Sequence, residues 1–447
     1  MSKRPRVLLI AEAANPEWAS VPLVGWSLSR ALAEVVDAHV VTQQRNRQAI
    51  ERAGWREGVE FTSIDSEAVA WPVWKFTEVL RRLTGLGWTT STALASIPYY
   101  YFEHLVWRRF GEDIRRGRFD IVHRVTPLSP TIPSVLAHRC RAAGVSFLWG
   151  PLNGGVAWPR EFTGVQRQEG EWLSSVRDVH RFMPAYRSSR ADAAAILVGS
   201  RATRDQMAGH HDRCVYIPEN GIDPSRFPER TAVPAAPPLR VAFVGRLVPY
   251  KGADMLVEAV APHVRAGRIA VDIIGEGPQR EALVRQIAAE GISDGVTLHG
   301  WVAHGQVQHL LARCHVLGFP SVREFGGGVV LEAMAMGVVP VVVDYAGPAE
   351  LVTGATGYRV PLGPRAAIVE RFRHILGELA EDPAPLVRIG ERARRRVHAL
   401  FTWEAKARQV VEVYRWILGH GPRPEFGMPF PDLWLDPGDA SSQAVEG

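Results

Sequence analysis

The stretch His315–Asp344, HVLGFPSVREFGGGVVLEAMAMGVVPVVVD, decides the fold class. Its opening, His315–Pro320, is a short apolar run closed by proline and reads as a buried strand. Ser321–Gly328 follows, with three consecutive glycines, Gly326, Gly327 and Gly328, that let bare backbone come close to another group. Val329–Ala335 reads as a helix and Val338–Asp344 as a second apolar strand. Strand, glycine loop, helix and strand in succession make a βαβ unit, whose strands are parallel and covered on both faces.

Outward from this unit the same pattern repeats in both directions. Arg240–Gly245, Ala270–Gly275 and Val296–Gly300 precede it as further apolar runs with helical segments between them. A separate series, Arg6–Ala11, Ala38–Thr42, Asp120–Val125, Val145–Trp149 and Ala195–Gly199, occupies the N-terminal half. Two such series imply two Rossmann-like, doubly wound α/β domains. Between them, Ile222–Leu239 holds Pro224, Pro228, Pro234, Pro237 and Pro238, and this proline density reads as a linker. The expected division is residues 1–221, residues 222–402, a closing helix over 403–419 that begins after Thr402 as N-cap, and an extended or disordered tail over 420–447.

Composition bounds the class. A chain of 447 residues with 46% hydrophobic and 22% charged residues has the make-up of a folded globular protein with more than one domain. The apolar run Val7–Ala11 is too short for a signal-peptide core, and no run of about 18 apolar residues suggests a membrane span. Cys140, Cys214 and Cys314 stand far apart, offer neither a disulfide framework nor a metal pair, and fit a reducing cytoplasm. The net charge of +5 is dispersed and no nucleic-acid motif accompanies it, so nucleic acid is not expected as a partner.

Chemistry concentrates at the strand ends. Glu324 stands before the glycine turn and Glu332 about one helical turn inside, so two carboxylates can accept hydrogen bonds from hydroxyls of one extended ligand. The free N–H groups of Phe325–Val329 at the helix start suit a phosphate or a sugar hydroxyl. Phe243–Gly252, FVGRLVPYKG, begins at another strand end and offers Arg246 and Lys251 to a diphosphate. Gly245, and the turn Gly275-Glu276-Gly277-Pro278, supply two further close-approach points. No Asp-x-Asp pair occurs, so no metal is expected and basic groups with a helix dipole would carry the charge. Each feature also has an ordinary reading: acidic residues favour helix starts, and Arg246 and Lys251 could be solvated loop residues. His123, on an apolar strand, reads equally as a satisfied core residue or as a polar group on the acceptor side.

Taken together, Glu324 and Glu332 with their spacing, GRLVPYKG, Gly275-Glu276-Gly277-Pro278 and Asn220-Gly221-Ile222-Asp223 resemble glycosyltransferase family 4 over residues 5 to 418. Val24-Gly25-Trp26, His123-Arg124-Val125-Thr126 and Trp149-Gly150-Pro151-Leu152-Asn153-Gly154-Gly155 are similar to a bacterial branch found with cell-surface polysaccharide or glycoconjugate synthesis. The resemblance implies the GT-B fold, with two Rossmann-like domains facing each other across a cleft, and transfer of a sugar from a UDP-, GDP- or ADP-sugar with retention of configuration. It gives Arg246 and Lys251 to the diphosphate and Glu324 with the amides of Phe325–Gly328 to the donor sugar. Glu332 falls to the ribose, and the backbone near Trp301 and Val302 to the base. Two departures stand out: Asn15-Pro16-Glu17-Trp18 replaces a Gly-Gly loop, and Gly150-Pro151 replaces a histidine, with Gly154-Gly155 as a substitute backbone approach.

The acceptor is expected to be a sugar, lipid-linked or free. Val73–Arg116 has Trp74, Phe76, Val79, Leu80 and Leu83 at helical spacing beside Lys75, Arg81 and Arg82, followed by Tyr99–Phe102 and Trp107–Arg109. This surface reads either as a dock on an anionic membrane at its cytoplasmic face or, by preference, as core helices of the N-terminal domain. Three rival functions are a nucleotide-sugar epimerase or dehydrogenase, which lacks its GxGxxG after the first strand, a non-catalytic partner subunit on the same fold, and a phosphorylase-like enzyme.

Overall fold

Every apolar run read as a strand is one. The computed structural model describes residues 4–68, 71, 88–168, 181–227 and 237–426. Its strands are β1 (Arg6–Ala11), β2 (Asp37–Gln43), β3 (Phe61–Ile64), β4 (Ile121–Thr126), β5 (Ser146–Leu152), β6 (Ala195–Val198) and β7 (Cys214–Tyr216), then β8 (Leu239–Val244), β9 (Ile269–Ile274), β10 (Val296–Gly300), β11 (Val316–Phe319), β12 (Val339–Asp344) and β13 (Tyr358–Pro361). The first seven form a parallel sheet in the order β3-β2-β1-β4-β5-β6-β7, and the rest a parallel sheet in the order β10-β9-β8-β11-β12-β13. Three strands escaped the sequence reading: β3, β7 and β13. All three are sheet edges, short, and in β3 and β13 part-polar, because an edge strand has only one neighbour to pack against.

The chain divides into two units. Among the described residues, the first comprises those within 4–155, 166–219 and 403–426, the second those within 156–165 and 220–402. The helix Trp403–Ile417 therefore belongs with the N-terminal half. Its residues Trp403, Ala407, Val410 and Tyr414 recur at helical spacing and sink into the first unit's core beside Trp26 and Leu32 of the helix Val21–Val35. A side chain of the size of Val410 contributes about 1.5–3 kcal/mol when fully buried, and the Ala407 methyl about 0.8. The helix Val21–Val35 starts on Pro22, and Gly25 lets it lie against the turn after β1: a Cβ there would sit 2.0 Å from the Ala13 carbonyl oxygen.

Several expectations about exposed surface resolve here. In the helix Trp88–Arg115, Tyr99, Phe102, Val106, Phe110 and Ile114 are buried, so this part of the basic aromatic stretch is core. Trp74 to Arg82 and Leu83 lie outside the described residues, as do 228–236 of the expected linker and 427–447 of the expected tail. The linker stretch also begins in structure: Ile222 bridges Thr402, and Pro224–Arg226 is a 3-10 turn capped by the Asp223 carboxylate. Among the described residues no helix is long and apolar enough to cross a membrane.

Candidate functional site

In the second unit the chain runs from β8 outward to β9 and β10, then returns to the other side of β8 to lay down β11, β12 and β13. The order reverses between β8 and β11, and ligands of open α/β sheets bind outside the strand ends at such a reversal. The two loops that leave this point are Gly245–Gly252 and Pro320–Gly327, the two richest stretches of the sequence. Parallel strands put both loops on one edge of the sheet, which is why residues 73 positions apart meet.

They meet as an ion pair. The Lys251 ammonium donates to the Glu324 carboxylate, and both side chains are mostly buried. Phe319 and Tyr250 lie beside the same ammonium, with ring centres 5.3 and 5.9 Å from Nζ. The main chain stitches the surrounding loops into one frame. Val322 N–H donates to the Tyr250 carbonyl at 3.0 Å, joining the β11 and β8 loops. Leu247 N–H donates to the Glu276 carbonyl at 2.9 Å, and Gly275 N–H to the Gly300 carbonyl at 2.9 Å, adding the loops after β9 and β10. Gly347 N–H reaches the Glu324 carbonyl at 3.3 Å. Satisfied backbone groups of this kind hold loops that have no regular structure of their own.

Glycines allow the frame to close. Gly275 has φ of +148°, and a Cβ there would lie 1.9 Å from the Gly245 carbonyl oxygen. A Cβ at Gly277 would lie 2.4 Å from the Leu247 carbonyl oxygen. The close approach that the sequence asked of these glycines is met here between loop and loop. Gly326 and Gly328 flank Gly327, which takes the left-handed conformation, φ +63°, as N-cap of the helix Gly328–Ala335. The helix thus begins one residue earlier than Val329, and its first N–H groups open at the same loop.

The remaining candidates distribute as follows. Glu332 sits one turn into that helix and is half-buried. Burial pushes its carboxyl up to about 7, against the opposing pull of Arg226. Arg226 stands just after Asn220–Asp223, so that motif does lie by the helix; Asn220 itself is near Gly328. Arg246 is exposed, Trp301 is 77% exposed, and Val302 is half-buried. Among the described residues no group of three or more His, Cys, Asp or Glu side chains is arranged to hold a metal.

His123 stands in the other unit. It lies in the first unit on β4, between Leu9 of β1 and Leu148 of β5, and is 0% exposed. Its Nδ1 pairs with the Tyr414 hydroxyl at 2.7 Å and its Nε2 with the Gly150 carbonyl at 2.6 Å. With both nitrogens engaged and the side chain fully buried, it packs as a core residue that ties β4 to the C-terminal helix, the first of the two readings its sequence position allowed. Burial lowers its pKa from 6.5 to about 4. The unfolded chain therefore takes up a proton between those values while the folded one does not, and stability is lost as pH falls through that window. In urea unfolding, the advantage of wild type over His123→Phe should shrink by about 3 kcal/mol between pH 7 and pH 4. A constant advantage would contradict the neutral buried ring.

The Gly154-Gly155 pair also finds an internal partner. Thr203 Oγ1 accepts from Gly154 N–H at 3.2 Å, Gln206 Nε2 donates to the Gly154 carbonyl at 3.0 Å, and a Cβ at Gly155 would strike Gln206. Gly155 is explained by that packing, while a Cβ at Gly154, which has φ of +154°, would press on Pro130 at 3.0 Å. Asn15 is buried, its side chain accepting from Glu17 N–H at 2.9 Å to shape the turn after β1. Two residues beside the second unit's site went unread in the sequence: Trp158 and Arg323. A tryptophan in an irregular, glycine-rich stretch was the signal available.

Comparison with known proteins agrees with this architecture. Residues 238–378, all within the second unit, match the family model described as Glycosyl transferases group 1. A glycogen synthase of Mycobacterium tuberculosis is 31% identical over 205 residues, which are 45% of this chain and 48% of that protein. A GDP-mannose-dependent monoacylated alpha-(1-6)-phosphatidylinositol monomannoside mannosyltransferase of Corynebacterium glutamicum is 27% identical over 290 residues, 63% of this chain and 73% of that protein. The match to the first of these spans about half the relative's length. Among solved structures, Anabaena HepE in complex with UDP-glucose superposes with a TM-score of 0.59 at 16% identity, covering 92% of this chain and 100% of that one. Sucrose-phosphate synthase from Thermosynechococcus elongatus gives 0.59 at 18% identity, covering 94% and 100%. The fold is GT-B.

Proposed function

We propose that this chain is a glycosyltransferase that moves a sugar from a nucleoside-diphosphate donor to an acceptor hydroxyl with retention of anomeric configuration, in the synthesis of a polysaccharide, glycolipid or other glycoconjugate. The observation that carries the reading is the Lys251–Glu324 pair at the reversal point between β8 and β11, inside the segment that matches the glycosyl transferases group 1 model. A cation and a carboxylate set side by side suit a ligand that has a diphosphate next to a ring of hydroxyls. Two relatives are named for such transfers, a glycogen synthase and a GDP-mannose-dependent mannosyltransferase, and one neighbour in fold was solved with UDP-glucose bound.

In this reading Arg246 and Lys251 hold the diphosphate. Binding draws Lys251 toward the doubly charged ligand and leaves the Glu324 carboxylate for the sugar's hydroxyls, with the amides of Phe325–Val329 beside it. Glu332 takes the ribose hydroxyls, and the backbone at Trp301 and Val302 faces the base. The acceptor oxygen attacks the anomeric carbon from the leaving group's side. The bond from that carbon to the diphosphate oxygen breaks as the new glycosidic bond forms, and a diphosphate oxygen takes the acceptor's proton. The growing charge falls on Arg246, Lys251 and the helix N-terminus rather than on a metal. The products are the glycoside and the nucleoside diphosphate. The acceptor is a sugar, free or lipid-linked, met at the cytoplasmic side.

A thermal-shift panel of UDP-, GDP-, ADP- and dTDP-sugars in EDTA tests the donor half. A ligand that binds only the folded state raises the melting temperature by mass action. One nucleotide class is expected to stabilise wild type, with the shift lost in Glu332→Ala. No shift from any nucleotide sugar at millimolar concentration would turn the reading toward a non-catalytic partner on the same fold.

A further inference from the structure

Residues 156–165 come from the N-terminal half of the chain yet belong to the second unit. Within that unit they lie on the two loops assigned above. The Tyr345 hydroxyl donates to the Ala157 carbonyl at 2.7 Å, fixing the segment beside the end of β12. The next side chain, Trp158, meets the Tyr250 ring edge to face, with centres 6.0 Å apart and planes at 89°. The Arg323 guanidinium lies 4.7 Å from the Trp158 ring centre and 5.3 Å from that of Phe325. One arginine is thus flanked by two aromatic rings, and the residue after it is Glu324.

The stack supplies what the loop's main chain lacks. Tyr250 and Val322 share a backbone bond, and Gly347 accommodates the Phe325 main chain, where a Cβ would lie 2.1 Å from the Phe325 oxygen. Those contacts hold the loop from below and from one side. Neither restrains the side chains of Arg323 and Phe325, between which the Glu324 carboxylate must be aimed. Cation–π attraction from two rings to one planar guanidinium does so, because stacking orients the plane as well as attracting the charge.

We propose that Trp158 and Arg323 are positioning residues: the 156–165 segment clamps the Glu324–Gly328 loop and so sets how well the sugar part of the donor is held. This rests on the function proposed above, in which that loop takes the donor sugar. The nucleoside diphosphate, held chiefly by Arg246, Lys251 and Glu332, depends on the clamp far less than the sugar does.

The test uses the full chain with Trp158→Leu, Trp158→Phe and Arg323→Met, probed with UDP against UDP-glucose and GDP against GDP-mannose. In Trp158→Leu and Arg323→Met the free diphosphate should bind within about twofold of wild type. The added affinity from the sugar should fall roughly tenfold, as a displaced positioning group costs. Trp158→Phe, which keeps an aromatic face, should recover most of it. Hydrogen exchange on the ligand-free proteins gives a second readout, in which amides 324–328 exchange at least about tenfold faster in Trp158→Leu while amides 275–277 do not. Unchanged exchange at 324–328, or an unchanged sugar increment in a folded Trp158→Leu protein, overturns the clamp. Faster exchange together with no nucleotide binding by wild type would keep the clamp and remove the donor assignment.

Discussion

Alanine at Lys251 is expected to lower turnover by about 10²–10³-fold, the usual loss when one donor to a developing anion is removed. The side chain is the cation nearest the Glu324 carboxylate, mostly buried and bordered by two aromatic rings. In such surroundings a charge is screened far less than at an open surface, so its removal is felt strongly where negative charge grows on the leaving group. The measurement is release of nucleoside diphosphate from whichever nucleotide sugar stabilises the wild type, in EDTA and with unfolding monitored in parallel. The unfolding control matters because the substitution also leaves Glu324 without this partner. Turnover equal to wild type would take Lys251 out of the charge-stabilising role and, with it, the mechanism proposed here.

The second large effect is on folding. Gly275→Ala should destabilise the second unit by about 2–6 kcal/mol, combining a strained backbone of about 1–3 kcal/mol with overpacking of similar size. The new methyl would sit 1.9 Å from the Gly245 carbonyl oxygen, which is backbone and cannot rotate away. Relief requires parting the loops after β8 and β9, and so loosening the bond from Leu247 N–H to the Glu276 carbonyl that frames the site. Gly291→Ala serves as the reference. It too has positive φ, +64°, but nothing lies within 4 Å of its Cβ position, and about 1–2 kcal/mol is expected. Equal losses at the two positions, measured by urea unfolding, would mean that backbone strain alone accounts for Gly275.

Some of this site was readable without coordinates and some was not. The Lys251 and Glu324 segments stood out because each combines a strand end with residues that punctuate a loop. Their partnership was hidden, since pairing across 73 positions depends on which strands become neighbours. His123 depends on a distant partner in the same way. On an apolar strand its polarity suggested a task, but the group that answers it, the Tyr414 hydroxyl, lies 291 positions away on a helix whose docking no local pattern encodes. Trp158 went unread because the segment around it has no period, and its contacts with Tyr250 and Arg323 are entirely non-local.

What the amino-acid sequence determined by itself was the alternation of buried strands and helices, hence two parallel-sheet α/β halves, and the loops in which chemistry would gather. Those follow from local composition: apolar β-branched runs, glycine and proline at their ends, and helical spacing between. The tertiary structure alone decided the strand order that brings Lys251 to Glu324, the return of Trp403–Ile417 to the first unit, and the placing of residues 156–165 on the second. Each depends on which surfaces bury one another, and burial is a property of pairs of distant segments that no single segment carries.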